Sequence, residues 1–255
     1  MPIISLTTDF GLTDPFVGIL KGVVLGICPE AVVVDVTHGL PPGDVAAGAL
    51  ALEGARPYFP AGTFHVAVVD PGVGTDRLAV CVRTHREFYV APDNGLLSFL
   101  PASDICEIRV LQNPTFQLQP VSPTFHGRDV FAPAAAHLAA GVPLEAFGPR
   151  VDELKRLAFP RAGRVGEEVR GEVVGFDHFG NAVTSLRERD YPEGAFTVEV
   201  NTQSLVFATT YGLVPPGFGL ALTGSTGRLE VCVREGSARE VYRLRAGDRV
   251  TLRSR

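Results

Sequence analysis

The chain has 255 residues, of which 45% are hydrophobic and 20% are charged. These proportions exclude a disordered chain and suit one large domain or two smaller ones with a substantial core. The formal net charge of −5 argues against a nucleic-acid phosphate backbone as the main partner. No apolar run approaches the ~20 residues that span a bilayer, and the start, MPIISLTTDF, lacks the regions of a signal peptide. We therefore expect a cytoplasmic protein with neither membrane nor nucleic-acid partners.

Strand and helix patterns alternate in the first part of the chain. Short apolar runs predict strands at residues 3–7, 31–36, 64–69, 78–83, 87–91 and 106–111. A helix is predicted at residues 16–27, with Asp14 as its cap and Pro15 in its first turn. Further helices are predicted from a start at 41–44 to about 55 and at 130–140, and a short helix is predicted to begin at 93–95. This order predicts an α/β fold with a largely parallel sheet flanked by helices. The turns carry neither a GxGxxG motif nor a P-loop, so a nucleotide phosphate is not the expected ligand.

The pattern changes at residues 159–168, a stretch rich in Pro, Gly, Arg and Glu that we interpret as a linker. Short strands follow at residues 171–176, 195–200, 205–209, 220–222, 229–233 and 248–253, separated by turn residues. Such spacing is typical of a small all-β barrel or sandwich. We therefore expect an N-terminal α/β catalytic domain at residues 1–160 and a smaller C-terminal β-barrel-like domain at residues 161–255.

The four cysteines, Cys28, Cys81, Cys106 and Cys232, are widely separated and form no CxxC pair. The spacing therefore indicates neither a zinc ribbon nor a thioredoxin-like site. Each cysteine lies in or beside an apolar stretch, and we expect all four to be buried and reduced. Histidines and carboxylates do not cluster at metal-ligand spacing, so we expect no bound metal.

The most informative stretch is the predicted strand at residues 64–69, because Asp70 follows it directly. A glycine-rich turn comes next and then Arg77. Ligands of open α/β sheets bind outside the carboxyl ends of the strands, where Asp9 also lies at the end of the first strand. His126 falls in the turn before the helix at 130–140. The local pattern leaves an alternative open, in which Asp70 caps its own turn, Arg77 pairs with a surface acid and His126 caps its helix or packs in the core.

Six motifs occur together in this chain: TTDFG at 7–11, VVDPGVGTDR at 68–77, PDNGLLS at 92–98, TFHGRDVFAP at 124–133, DHFGN at 177–181 and GSTGRLEV at 224–231. As a set, they resemble the S-adenosylmethionine (SAM) hydrolases, also called SAM hydroxide adenosyltransferases, which are relatives of fluorinase and chlorinase. The resemblance extends from end to end of the chain. It implies a homotrimer with active sites between subunits, each built from one N-terminal domain and a neighbour's C-terminal domain.

The resemblance implies hydrolysis of SAM to adenosine and methionine by attack of water or hydroxide at the ribose C5′. By match to the family motifs, Asp70, Arg77 and His126 hold the water, with Asp70 as the expected base. Whether Asp70 or His126 takes the proton is left open. The halogenating relatives carry tyrosines where Asp70 and His126 stand, and a carboxylate at the attack position repels a halide. Two alternatives are a halide-using transferase on the same scaffold and a non-catalytic sensor of SAM or adenosine.

The resemblance also implies the substrate contacts. Asp9 matches the residue on the ribose hydroxyls, Phe179 is placed to contact adenine, and Asn181 matches a residue of the loop around the nucleoside and methionine portions. Ser225 and Glu230 match the methionine end, although a turn serine and a solvated strand glutamate are the simpler interpretations of these two. SAM is the substrate, and no cofactor is implied.

Overall fold

A computed structural model describes residues 1–254 of the chain. The chain divides into two compact units, of which the first is Met1–Leu157 and the second begins at Ala158. Each unit has its own hydrophobic core, and each is described by itself below.

The first unit is built on a seven-stranded sheet with the order β2-β1-β3-β5-β4-β6-β7. Its strands are β1 Ile3–Thr8, β2 Val32–Thr37, β3 Phe64–Val68, β4 Ala79–Thr84, β5 Phe88–Pro92, β6 Ile105–Val110 and β7 Arg150–Val151. The pairs β2–β1, β1–β3 and β3–β5 are parallel, whereas β4 and β7 run against their neighbours. Five strands therefore share one direction, and the predicted α/β fold with a mostly parallel sheet is confirmed.

Three helices accompany this sheet, α1 Phe16–Ile27, α2 Val45–Ala55 and α3 Ala132–Ala139. Helix α1 buries Val17, Leu20 and Val24, which the 3.6-residue period places on one face. Helix α2 begins where Asp44 Oδ1 accepts a 2.9 Å hydrogen bond from the Ala47 amide. No helix within residues 1–254 is long and apolar enough to cross a membrane.

Two local predictions for the first unit are wrong. Asp14 does not cap α1, whose N-cap is Pro15 without a side-chain hydrogen bond. The segment after Asp93 forms successive turns instead of a helix, because its polar side chains are bound elsewhere. Asp93 accepts the Lys155 amide at 2.8 Å, and Asn94 donates to the Val69 carbonyl at 2.8 Å.

A buried polar group, which we call the Glu87 cluster, lies inside the first unit and consists of Ser5, Arg56, His65, Glu87 and Tyr89. Arg56 Nε and the Tyr89 hydroxyl donate to Glu87 Oε1 at 2.5 and 2.6 Å, and Ser5 Oγ lies 2.7 Å from His65 Nδ1. His65 Nε2 lies 3.7 Å from Glu87 Oε2. Burial acts to raise the pKa of Glu87, but contacts with His65, Tyr89 and Arg56 hold it below its ordinary value. Glu87 is therefore a buried anion with cationic and polar partners.

The second unit is a strongly curved antiparallel sheet with the order β12-β11-β15-β9-β10-β14-β13, and β8 pairs with β9. Its strands are β8 Gly163–Val165, β9 Glu168–Phe176, β10 Ala182–Arg187, β11 Phe196–Val200, β12 Gln203–Val206, β13 Gly219–Thr223, β14 Arg228–Val233 and β15 Arg249–Ser254; one short helix, α4 Ala238–Val241, precedes β15. A bridge between Phe207 and Ala221 links the two ends of this order, so the barrel is nearly closed. The predicted C-terminal barrel-like fold is confirmed.

Several details of this unit differ from the prediction. Strand β10 has no counterpart among the predicted strands, β8 lies inside the predicted linker, and β12 begins and ends earlier than the predicted strand at 205–209. Cys28, Cys81 and Cys232 are free and buried as expected, but Cys106 in the first unit is half-buried, with its sulfur 3.3 Å from His85 Nδ1. The expectation that all four cysteines are buried is therefore wrong for Cys106.

Candidate active site

A cavity of about 130 Å³ lies beside the carboxyl ends of β1 and β3. The residues that line it are Asp9, Phe10, Gly43, Val68, Asp70, Pro71, Val73, Thr124, Phe125, His126 and Gly127. Four segments that are distant in sequence therefore meet here, namely the turn after β1, the turn before α2, the turn after β3 and the loop before α3.

Asp70 and Arg77 are held together by the turn that follows β3. The turn is closed by hydrogen bonds from the Val73 amide to the Asp70 carbonyl and from the Thr75 amide to the Gly72 carbonyl, both 3.2 Å. Arg77 Nε lies 2.9 Å from each carboxylate oxygen of Asp70, and Nη2 donates to Oδ2 at 2.5 Å. Their side chains are 5% and 7% exposed. The pair is thus a shielded, forked ion pair of fixed geometry.

His126 completes what we call the Asp70 cluster, Asp70, Arg77 and His126. Arg77 Nη2 lies 2.7 Å from His126 Nδ1. Because a guanidinium only donates hydrogen bonds, Nδ1 must be the acceptor, and the imidazole is neutral with its proton on Nε2. Burial lowers the pKa of His126, and the charge of Arg77 lowers it further. Arg77 therefore fixes the orientation of the carboxylate and the tautomer of the histidine at once.

The loop that carries His126 is anchored by Asp129, which is buried. Its carboxylate accepts the Ser122 amide at 2.8 Å and binds Arg128 Nε at 2.7 Å. Burial acts to raise the pKa of Asp129, but the hydrogen bonds from Arg128 and Ser122 outweigh it and hold the pKa below its ordinary value. His126 precedes a π-helical turn at Gly127–Phe131 that leads into α3. Such turns inside helices often lie at functional sites.

Phe131 lies at the end of this turn and supports Arg77. Its ring is fully buried, and the guanidinium carbon of Arg77 lies 5.2 Å from the ring centroid. This is a cation–π contact in a shielded setting. Sequence reasoning did not identify Phe131, although its position five residues after His126 in TFHGRDVFAP was visible.

The turn after β3 and the loop before α3 approach each other closely at Gly74. A Cβ placed on Gly74 would overlap the backbone oxygen of Pro123. Gly74 also has a φ of +76°, which favours glycine. Glycine at this position therefore lets the segments that carry Asp70 and His126 pack together.

Asp9 also lines the cavity, and its Oδ2 accepts a 2.7 Å hydrogen bond from the Gly43 amide. Phe10 and Phe125 also line the cavity and meet edge to face, with ring centroids 5.8 Å apart. The cavity thus combines two carboxylates with aromatic walls, which suits a cationic ligand that has an apolar part.

The structure brings Asp9, Asp70, Arg77 and His126 together in the first unit, whereas the other four predicted residues lie in the second unit. Phe179 is 74% exposed, and Ser225 is exposed in the turn between β13 and β14.

Asn181 is buried in the second unit, and its Nδ2 donates to Asp177 Oδ2 at 2.8 Å and to the Tyr211 hydroxyl at 3.2 Å. Sequence reasoning missed Tyr211, which lies 30 residues from Asn181 in a segment of turn residues that carries no motif. It also did not single out Asp177, although this residue opens the DHFGN motif.

Glu230 lies on β14, and its carboxyl group fills the space beside Gly224, where a Cβ would overlap the Glu230 side chain. Burial raises the pKa of Glu230, and the negative charge of Asp177 raises it further. The second unit therefore holds two interacting carboxyl groups near Asn181. Within residues 1–254, no group of three or more His, Cys, Asp and Glu side chains is arranged to hold a metal ion.

Comparison with known proteins identifies the family. Residues 4–148 match the SAM hydroxide adenosyltransferase N-terminal domain, and residues 171–251 match the corresponding C-terminal domain. The chain is 46% identical over 253 residues to a protein of Thermus thermophilus named (R)-S-adenosyl-L-methionine hydrolase, covering 96% of this chain and 97% of that protein. It is 29% identical over 295 residues to a fluorinase of an Actinoplanes species, covering 98% and 97% of the two chains.

Solved structures agree with this result. The crystal structure of an uncharacterized conserved protein from Thermotoga maritima matches with a TM-score of 0.91 at 35% identity, covering 98% of this chain and all of that one. A conserved hypothetical protein from Thermus thermophilus matches with a TM-score of 0.83 at 44% identity, over 99% of this chain and all of that one. The predicted resemblance is confirmed: this chain belongs to the SAM hydroxide adenosyltransferase family.

Proposed function

We propose that this protein hydrolyses S-adenosyl-L-methionine to adenosine and methionine, with water attacking the ribose C5′. The observation that carries the proposal is the Asp70 cluster beside the cavity, where one arginine fixes both a carboxylate and a neutral histidine. Relatives of 41–46% identity over nearly the whole chain are named (R)-S-adenosyl-L-methionine hydrolase, which supports the same reaction here. Their names specify the (R) epimer, so we propose this epimer as the preferred substrate.

The chemistry suits these residues. The oxygen of water forms a bond to C5′ while the C5′–S bond breaks. The electron pair of the broken bond stays on sulfur and gives the neutral thioether of methionine. No acid is needed for this leaving group, so the task of the protein is to orient the water and accept its proton.

We propose that Asp70 accepts the proton of the attacking water. His126 Nδ1 is occupied by Arg77, and Nε2 already carries a proton, so the neutral imidazole donates a hydrogen bond to the water rather than accepting its proton. The carboxylate of Asp70 has lone pairs beyond those bound by Arg77 and is a cavity-lining acceptor. Arg77 then acts as a positioning residue for both groups.

The same carboxylate argues against halide as the nucleophile, because it would repel an anion at the attack position. The fluorinase relatives are 29–33% identical to this chain, which is more distant than the 41–46% of three SAM hydrolases. Halogenation and binding of SAM without turnover are therefore the two alternatives that the product analysis below distinguishes from hydrolysis.

For substrate binding, we propose that Asp9 accepts hydrogen bonds from the ribose hydroxyls. We further propose a homotrimer in which Phe179, Asn181, Ser225 and Glu230 of a neighbouring subunit complete the site. Two observations support sharing: the cavity of about 130 Å³ is small beside the roughly 300–1,000 Å³ of sites that enclose a drug-sized ligand, and the large ring of Phe179 is exposed.

The proposed reaction requires no cofactor and no metal. Free cysteines are typical of reducing compartments, and the cytoplasm is the place of action that we propose.

Product analysis tests the reaction. The protein is incubated separately with the two sulfonium epimers of SAM in heavy-oxygen water, with and without halide, and the products are separated by chromatography. We expect adenosine with the heavy oxygen in its 5′-hydroxyl, faster formation from the (R) epimer, and no effect of halide. A 5′-halo nucleoside, unlabelled adenosine or binding without turnover would each contradict the proposal.

Subunit mixing tests the shared site. Asp70→Asn removes the base, and the double variant Phe179→Ala/Ser225→Ala alters exposed residues of the second unit. If sites form between subunits, mixed oligomers of the two poorly active variants contain some sites with neither defect, and mixing restores activity. Mixtures that show only the average of the two separate activities, or a wild-type monomer that binds SAM at full affinity, would contradict it.

A further inference from the structure

His38 is almost completely buried directly after β2, and it contacts the first cavity-lining segment at two points. Its Nδ1 lies 2.8 Å from Thr8 Oγ1, and its backbone oxygen accepts a 2.8 Å hydrogen bond from the Gly11 amide. The two contacts enclose Asp9 and Phe10, both of which line the cavity. His38 therefore holds the segment that supplies one side of the site.

The direction of the Thr8 hydrogen bond follows from the other neighbour of His38. His38 Nε2 lies 3.1 Å from Asp35 Oδ1, and because a carboxylate only accepts, it favours the tautomer with its proton on Nε2, although the contact is poorly aligned for a hydrogen bond. In this tautomer Nδ1 accepts the Thr8 hydroxyl proton, and Thr8 Oγ1 in turn accepts the Phe10 amide at 3.2 Å. Asp35 is itself held by Lys21 Nζ at 2.6 Å. A chain of polar contacts thus extends from the surface to the turn after β1.

Asp9 is fixed at both its backbone and its side chain. Its backbone lies between Thr8 and Gly11, which His38 holds, and its Oδ2 accepts the Gly43 amide. A carboxylate has further lone pairs after accepting one hydrogen bond, and these suit the hydroxyl pair of a ribose. Such recognition depends on the carboxylate lying in a set place, because hydrogen bonds weaken steeply with misalignment.

We propose that His38, through its hydrogen bond to Thr8, is a positioning residue that sets the recognition of ribose hydroxyls by Asp9. The proposal rests on the ribose-binding role proposed above for Asp9, but it does not depend on turnover. It predicts that selectivity for a hydroxylated ribose is lost when the bond between Thr8 and His38 is removed, even though neither residue is proposed to touch the ligand.

The same strand offers a matched control. Ser5 Oγ lies 2.7 Å from His65 Nδ1, and both residues are fully buried. This is the same kind of hydroxyl–imidazole bond, three residues earlier on β1, and neither partner lines the cavity. Its removal should affect stability as much as removal of the Thr8 bond does, without changing how Asp9 is presented.

The experiment compares the binding of adenosine and 2′,3′-dideoxyadenosine to the full chain by titration calorimetry. Hydrogen bonds to charged groups contribute about 1.5–3 kcal/mol, so we expect the wild type to prefer adenosine by about 10–100-fold. Thr8→Val, which keeps the shape but not the hydroxyl, should reduce this preference toward that of Asp9→Asn. Ser5→Ala should leave it unchanged. His38→Asn, whose amide oxygen can replace Nδ1 as acceptor, should retain most of it.

Each outcome has a distinct meaning. An undiminished preference in Thr8→Val, or an equal loss in Ser5→Ala, overturns the positioning role. A wild type that binds both nucleosides equally overturns it as well, by removing ribose recognition from Asp9, and leaves hydrolysis to be judged from its products. Thr8→Val also removes the acceptor of the Phe10 amide, so loss of the preference in both Thr8→Val and His38→Ala supports the inference, even in a protein that fails to hydrolyse SAM. Loss in Thr8→Val with an undiminished preference in His38→Ala overturns it. If Thr8→Val does not fold, His38→Ala measured against His38→Asn provides the same contrast.

Discussion

The Asp70 cluster and the Glu87 cluster are made of the same kinds of side chain and are both connected to β3. Each contains an arginine bound to a carboxylate, with a histidine nearby. His65 lies within β3, whereas Asp70 follows its carboxyl end and faces the cavity. Glu87 and His65 are sealed in the interior. The comparison teaches that position relative to the strand ends, and not the set of side chains, separates a candidate reaction centre from a structural network.

The largest effect that would test this contrast is on catalysis at Asp70. Asp70→Asn keeps the shape of the side chain but removes the base, so we expect kcat to fall by about 10²–10⁴-fold per folded molecule. Arg77 loses the negative charge of its partner, so the free energy of unfolding should fall by about 1–3 kcal/mol. Steady-state kinetics and thermal unfolding are measured side by side.

Asp76 provides the control for this variant, because it is an exposed carboxylate in the same glycine-rich turn. Asp76→Asn should change kcat by no more than about twofold, as expected for a surface substitution. A near-normal kcat in Asp70→Asn would return Asp70 to a structural role and make the two clusters alike.

The opposite result is expected for the Glu87 cluster. Glu87→Gln leaves Arg56 without its buried anion, and breaking such a pair should lower the free energy of unfolding by about 2–4 kcal/mol. Because these residues are sealed away from the cavity, kcat should stay near that of the wild type. Glu168→Gln is the control, since Glu168 pairs with Arg170 and Arg253 but is partly exposed, and its loss should destabilise the protein far less than the loss of Glu87.

The pH dependence sharpens this prediction. The pKa of Glu87 is lower in the folded protein than in the unfolded chain, where about 4.3 is usual. Its contribution to stability is therefore complete above that value and is lost as the pH falls through the folded-state pKa. Denaturant unfolding should show the gap between wild type and Glu87→Gln shrinking below about pH 4.3. A gap that does not depend on pH would mean that the charge of Glu87 is not what stabilises the protein.

A smaller effect is expected at Phe131, whose ring supports Arg77. A shielded cation–π contact contributes about 0.5–2 kcal/mol, so Phe131→Leu should lower kcat by about 2–30-fold. Phe147→Leu is the matched control, because Phe147 is equally buried and packs on Phe116 instead. Equal kcat values in the two variants would show that the ring fills space and does not orient the guanidinium.

The smallest effect concerns the pH profile. The pKa of His126 lies below its ordinary value of about 6.5, so the neutral imidazole persists to lower pH in the folded protein than in the unfolded chain. We expect kcat/KM to stay constant down to about pH 6.5 and to fall only below it, because protonation of Nδ1 breaks the bond from Arg77. His126→Asn should remove or displace this acid limb. A limb above pH 6.5, unchanged in that variant, would contradict the assigned tautomer.

Sequence reasoning succeeded where local signals are strong. The turn from Asp70 to Arg77 is marked by proline and glycine, and the structure closes it with backbone hydrogen bonds. The approach of His126 to Arg77, 49 residues away, has no local signal and was expected only from the family resemblance. The π-helical turn after His126 also has no sequence period that would predict it.

Strand β10 shows why some elements were missed. Thr184 and Ser185 are buried in this strand, so it lacks a continuous apolar run. Their hydroxyls are satisfied inside the barrel, where they accept the Leu186 and Glu172 amides. Strand β8 has the opposite problem, because all three of its residues are exposed and no apolar pattern distinguishes it from a linker. Both assignments depend on tertiary contacts that a single sequence does not reveal.

The close approach at Gly74 has a consequence for mutational tolerance. Gly74 has no functional group, yet any side chain there would push the Pro123 backbone, and with it the loop of His126, away from the turn of Arg77. A saturation scan selected on activity should therefore find Gly74 as intolerant as Asp70, while neighbouring Thr75 and Asp76 accept many residues. The same scan selected on the abundance of folded protein should distinguish Gly74 from Asp70. Glycine at position 74 is thus part of the proposed active site because it leaves room for the backbone of Pro123.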